Sequence, residues 1–87
     1  MPTITLVHAP ACHFCVDAQE VLAALGGEFD LLVERVGADS EAGRRLVAAH
    51  RPTMFPLILL DGEFFSHGRL PRRKLRARLA AHVVRAT

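Results

Sequence analysis

Apolar positions along the chain change period repeatedly, and each change marks an element. Residues 3–8, TITLVH, are β-branched and apolar and run into Pro10, which predicts a short buried strand. From Phe14 the apolar or small positions are Phe14, Ala18, Val21, Leu22 and Leu25, the i, i+4, i+7, i+8, i+11 stripe of a helix packed on one face. Gly26 and Gly27 are expected to stop it, because glycine readily adopts the left-handed conformation that closes helices. FDLLVERV at 29–36 has strand composition and ends at Gly37. Asp39 or Ser40 is placed to cap a second helix running to about His50, before Pro52 forbids continuation, with Gly43 a weak point inside it. PLILL at 56–60 and EFF at 63–65 flank Asp61-Gly62, a pair that supplies the positive φ angles of a two-residue hairpin turn. A last helix is predicted to open with Pro71 as its first residue, with Leu75, Leu79, Val83 and Ala86 as its buried stripe. The order is βαβαββα. It predicts an α/β fold whose four-stranded mixed sheet, flanked by helices, has a parallel N-terminal pair and an antiparallel C-terminal hairpin.

Length and composition narrow the function classes. Eighty-seven residues, 51% of them hydrophobic, make one globular domain, 1–87. No apolar run reaches the roughly 20 residues of a membrane span, and the first residues lack the basic start of a secretory signal. The expected location is therefore cytoplasmic, and the expected state monomeric. In a reducing compartment a C-x-x-C pair is more often catalytic or metal-binding than a permanent structural disulfide. The net charge is +2, unevenly placed: all nine carboxylates lie at or before Glu63, and Arg69, Arg72, Arg73, Lys74, Arg76, Arg78 and Arg85 follow it. No aromatic is interleaved among residues 69–87, which argues against nucleic-acid binding. The arginines read as a solvated face able to steer an acidic partner.

Cys12 and Cys15 are the chain's two cysteines and carry its candidate chemistry. Three readings fit the pair: two small buried residues, half of a zinc site completed by histidines, or a redox couple. The five histidines form no second pair at metal-ligand spacing, and no metal is assigned. The position between a strand and a helix, within a βαβ pattern, favours redox chemistry. At the start of a helix the Cys12 sulfur meets unpaired N–H groups and the positive end of the helix dipole, and both stabilise a thiolate. Cys15, one turn inward, is better shielded and suited to resolve a mixed disulfide formed on Cys12. Between them, His13 adds positive charge when protonated, and Phe14 offers an apolar shoulder to a docking substrate unless it packs inward.

With CHFC at a helix start and FPLILLDG leading into a hairpin and a terminal helix, nearly the whole chain resembles the glutaredoxin branch of the thioredoxin superfamily, in particular the small glutaredoxin-like proteins of actinobacteria. The resemblance implies a thioredoxin-like (glutaredoxin) fold and a dithiol oxidoreductase, with Cys12 attacking and Cys15 resolving, that reduces protein or low-molecular-weight-thiol mixed disulfides. It also implies a cis peptide bond before Pro56, leaving the backbone of Phe55 open beside the cysteines to pair with an extended substrate. No tightly bound cofactor is implied; glutathione, mycothiol and thioredoxin reductase are the candidate reductants. The departures are local. His13 and Phe14 stand where Pro and Tyr are common, and Met54-Phe55 stands where glutathione-using members have Thr-Val. SHGRLP replaces their glycine-rich stretch, so that Ser66, Gly68 and Arg69 are the residues left to hold a carboxylate. A second class of function, a non-catalytic iron–sulfur or zinc module on the same cysteines, is disfavoured because the cluster-binding relatives usually carry C-G-F-S.

Overall fold

The computed structural model describes the backbone of residues 1–86 and the side chains of residues 1–81. Strands β1 (Thr3–His8), β2 (Leu32–Gly37), β3 (Leu57–Leu60) and β4 (Glu63–His67) form one sheet in the order β2-β1-β3-β4. Helices α1 (His13–Gly26), α2 (Glu41–His50) and α3 (Arg72–Ala86) complete the βαβαββα order read from the sequence. β1 pairs in parallel with β2 and antiparallel with β3, and β3 pairs antiparallel with β4, so the sheet is mixed as expected.

Alternation along the strands divides the core between two faces. Ile4 and Leu6 of β1 and Ile58 of β3 pack with Ala18, Val21, Leu22 and Leu25 of α1 and Leu75 and Leu79 of α3. Val7, Leu57 and Leu59 point the other way, against Leu46 and Val47 of α2. Asp61 and Gly62 both have positive φ, 49° and 83°, as the hairpin turn requires. Opposite Ile58 and Leu59, β4 carries one extra residue: Ile58 faces Ser66 and Leu59 faces Phe64, which leaves Phe65 as a bulge. Phe65 and Ser66 are consequently buried side by side, where simple alternation would expose one of them.

Several expectations need correction. Phe14 is 37% exposed and lies off the buried stripe, which Cys15 joins in its place. Gly27 caps α1 at φ −80°, not left-handed; the helix closes by tightening, with Gly27 N–H donating to Ala24 O and Glu28 N–H to Leu25 O. β2 begins at Leu32 and not near 29, because Phe29 and Leu31 are used as packing against the α1 and α3 layer. Pro71 lies just before α3, its carbonyl accepting from Leu75 N–H, so it is the capping residue and Arg72 the first helical one. Val83 and Ala86 of the expected stripe, with His82 and Arg85, lie outside the described side chains.

Of the two cap candidates, Ser40 is the one used. Its hydroxyl accepts from Gly43 N–H at 3.0 Å and donates to Gly37 O at 2.7 Å, tying the start of α2 to the end of β2. Ser40→Ala is expected to lower stability by about 1 kcal/mol, read as a shift in the urea midpoint with unchanged slope. Among the described residues, no helix is long and apolar enough to cross a membrane.

Candidate active site

A turn at Pro10 and Ala11, with Ala11 in the left-handed region at φ 51°, redirects the chain from the end of β1 into α1 and delivers Cys12 to the helix N-cap. Cys12 and Cys15 are joined as a disulfide with Cα atoms 5.2 Å apart, well within the range a disulfide spans. The two sulfurs differ in setting. Cys12 is half-buried, whereas Cys15 is 3% exposed and covered by the core. Backbone N–H of Cys15 donates to the Cys12 sulfur at 3.1 Å, the capping bond that serine or aspartate makes elsewhere. On reduction, that N–H and the aligned peptide dipoles of α1 favour a negative charge on Cys12 and offer nothing equivalent to Cys15.

The opposite wall is the segment between α2 and β3. The Phe55–Pro56 bond is cis, as the resemblance implies, and the Phe55 carbonyl oxygen lies 3.6 Å from the Cys12 sulfur. In the disulfide this is a contact without a proton; in the reduced protein a Cys12 thiol can donate to that oxygen. Pro56 is buried and its carbonyl accepts from Gly68 N–H at 3.1 Å, which anchors the wall to the residues after β4. His67 adds a second tie, its Nδ1 accepting from Thr53 N–H at 3.2 Å.

The sequence-derived site residues divide into those around Cys12 and those set apart from it. His13 and Phe14 are exposed on the first turn of α1, and Phe55 and Pro56 form the facing wall. Ser66 is 9% exposed, with its Oγ sealed from solvent and without a hydrogen-bond partner, so this hydroxyl does not present itself to a surface carboxylate. Gly68 has φ 77°, its N–H is already donated to Pro56, and a Cβ on it would press on the Met54 side chain at 3.2 Å. Arg69 alone of the three is exposed and free to meet an anion. Removal of a buried unpartnered hydroxyl relieves desolvation, so Ser66→Ala is expected to leave chemical-denaturation stability unchanged or to raise it by about 1 kcal/mol, with no loss of thiol reactivity.

The sequence-derived site leaves out Val16, and Met54 enters it only as a departure from the glutathione-using members. Both are about half exposed, at 56% and 48%. Val16, with Ala11, Cys12 and His13, lines a shallow depression of about 300 Å³, and Met54 precedes Phe55, whose carbonyl oxygen meets the Cys12 sulfur. The signal that could have found them was position: Val16 falls one turn after Cys12 and off the buried stripe, and Met54 falls two residues before the cis-proline. Among the described residues, no group of three or more His, Cys, Asp or Glu side chains converges as a metal site would require.

Across 81 residues the sequence is 31% identical to the uncharacterized proteins Rv0508 of Mycobacterium tuberculosis and Mb0520 of Mycobacterium bovis, covering 91% of this chain and 84% of each of theirs. The chain belongs to the family of these mycobacterial proteins. No protein-family model matches it. Among solved structures, this member of the Rv0508 family is similar to an uncharacterized thioredoxin-like protein from Clostridium perfringens, with a TM-score of 0.75 and 17% identity over 93% of this chain and 70% of that one. A single-site mutant of a thioredoxin from Halobacterium salinarum gives 0.71 at 20% identity, covering 92% of this chain and 73% of that one. Glutaredoxin 1 from Francisella tularensis gives 0.56 at 15% identity, covering 98% and 99%. At such identities the likeness shows the fold, which is thioredoxin-like. A thioredoxin-like fold carrying a cysteine pair at disulfide distance fits a redox role for the Rv0508 family member.

Proposed function

We propose that this chain is a thiol–disulfide oxidoreductase of glutaredoxin type that reduces protein or low-molecular-weight-thiol disulfides through the Cys12/Cys15 couple. The observation that carries this reading is the asymmetry of the pair: one sulfur half-exposed and capped by a backbone N–H, its partner buried one helical turn away. The Cys12 thiolate attacks one sulfur of a substrate disulfide in line, and the other substrate sulfur leaves as a thiolate that takes a proton from solvent. Cys15 then loses its proton and attacks the Cys12 sulfur, releasing the second substrate thiol and closing the Cys12–Cys15 disulfide. The substrate gains two electrons and two protons, which the dithiol loses. Two electrons from glutathione, mycothiol or thioredoxin reductase restore the protein.

Phe55 offers backbone pairing to an extended substrate beside Cys12, with His13, Phe14 and Val16 exposed on the first turn of α1. With Ser66 Oγ sealed and Gly68 N–H engaged, a preformed carboxylate pocket for glutathione is not supported, and a peptide disulfide suits the groove better. The test is a stoichiometric one on anaerobically purified, fully reduced protein. Two substrate thiols released per chain, with formation of the Cys12–Cys15 disulfide and no iron or zinc, are expected. Visible cluster absorption with no thiol release would replace this reading by a metal-binding one. Recovery of the oxidised protein with each thiol, and with thioredoxin reductase plus NADPH, then identifies the reductant.

A further inference from the structure

β1 and β4 both run antiparallel to β3, so both finish at the same end of the sheet. α1 follows β1, α3 follows β4, and both helices pack on the same face. The first turn of α3 therefore opens at the same end and on the same face of the sheet as the first turn of α1, where Cys12 sits. The hydrogen bond from Gly68 to Pro56 and the contact of Phe55 with Cys12 link the two places through the groove wall.

That first turn is built against its own helix. Arg72, Arg73 and Lys74 occupy it without an acidic residue, at the positive end of the dipole, and Arg69 precedes them. The ion pairs among the described residues are Arg45 with Glu41 and Arg76 with Glu28, and neither uses one of these four cations. With Leu70 and Pro71 they line a shallow surface cleft of about 650 Å³. The arrangement costs helix stability and would be relieved by an external anion. The cleft lining holds no aromatic, and Phe65, under the Lys74 ammonium at 5.5 Å, is buried, so the surface lacks the exposed stacking groups of a nucleic-acid site; exposed Phe14 and Val16 on the first turn of α1 beside Cys12 suit a polypeptide.

Resting on the oxidoreductase reading above, we infer that the Arg69–Lys74 surface docks an acidic segment of a protein substrate and brings its disulfide to Cys12. Charge complementarity acts mainly on encounter, so selectivity resides in kcat/KM at low salt.

The experiment compares the intact wild type with R72E/R73E, a variant whose new carboxylates suit a helix N-terminus and preserve folding. Three disulfides are used: a peptide flanked by Asp and Glu, the same peptide flanked by Lys, and bis(2-hydroxyethyl) disulfide. For the wild type, kcat/KM is expected to favour the acidic peptide over the basic one by roughly 10-fold or more at about 0.02 M salt and to lose that margin at about 0.5 M. In R72E/R73E the preference is expected to invert, while the rate with the small neutral disulfide changes by less than about twofold. Equal rates for the two peptides in the wild type would overturn the docking inference and leave the oxidoreductase reading standing. Absence of thiol release from all three substrates would overturn both. Single-stranded RNA that displaces the acidic peptide at a lower concentration than the free peptide itself would reassign the surface to nucleic acid.

Discussion

Cys12→Ser is expected to bring disulfide reduction down to the rate of a protein-free control, and Cys15→Ser to stop the cycle one step later with substrate bound. The difference follows from the setting of the two sulfurs. A serine hydroxyl at the N-cap would accept the Cys15 N–H as the sulfur does, so the fold is retained, but it is not ionised and cannot attack sulfur. A serine in place of buried Cys15 leaves the Cys12 attack intact and removes the group that releases the product. Mass spectrometry after mixing reduced protein with a peptide disulfide reads both outcomes: no adduct for Cys12→Ser, and an accumulating peptide adduct for Cys15→Ser. Full activity in the Cys12 variant would refute the assignment of the nucleophile.

The largest expected effect on stability lies far from the cysteines. Gly43 is the buried residue of α2, and a Cβ there would overlap the carbonyl oxygen of Gly37 and fall 2.8 Å from its carbon. The obstacle is backbone at the end of β2, which has no side-chain rotamer to turn aside. Gly43→Ala gains roughly 1 kcal/mol in helix propensity and yet is expected to destabilise the protein by about 2 kcal/mol net, because α2 must lift from the sheet. For a domain of this size that corresponds to a fall in Tm of roughly 8–16 °C, measurable by circular dichroism. An unchanged or higher Tm would mean that α2 is free to shift.

Gly43 also shows where reading the sequence stops. By propensity it is a flaw in a helix, and only the approach of α2 to β2 turns it into a requirement. The same holds for Phe14: its spacing from Ala18 fits the buried stripe, but Cys15 fills the inner position and Phe14 stays exposed. Phe65 and Ser66 are buried together because of a bulge that no local residue pattern announces, and Ser66 left the ligand set for that reason. Features set by local backbone chemistry were legible in the sequence: the Asp61-Gly62 turn, a cap for α2 narrowed to Asp39 or Ser40, and the strand and helix order. The cis bond before Pro56 was legible from the motif that surrounds it. In the site, the cysteine pair was readable from spacing, whereas the wall opposite it depends on long-range ties, Gly68 to Pro56 and Thr53 to His67, between residues whose partners are far along the chain.

At the centre of the proposed chemistry the two cysteines are unequal, and Cys12 is the one that reacts. Brief treatment of the fully reduced protein with substoichiometric iodoacetamide, followed by peptide mapping, measures this directly. The label is expected on Cys12, with Cys15 modified only after the protein is unfolded. Equal labelling of the two, or preferential labelling of Cys15, would contradict it.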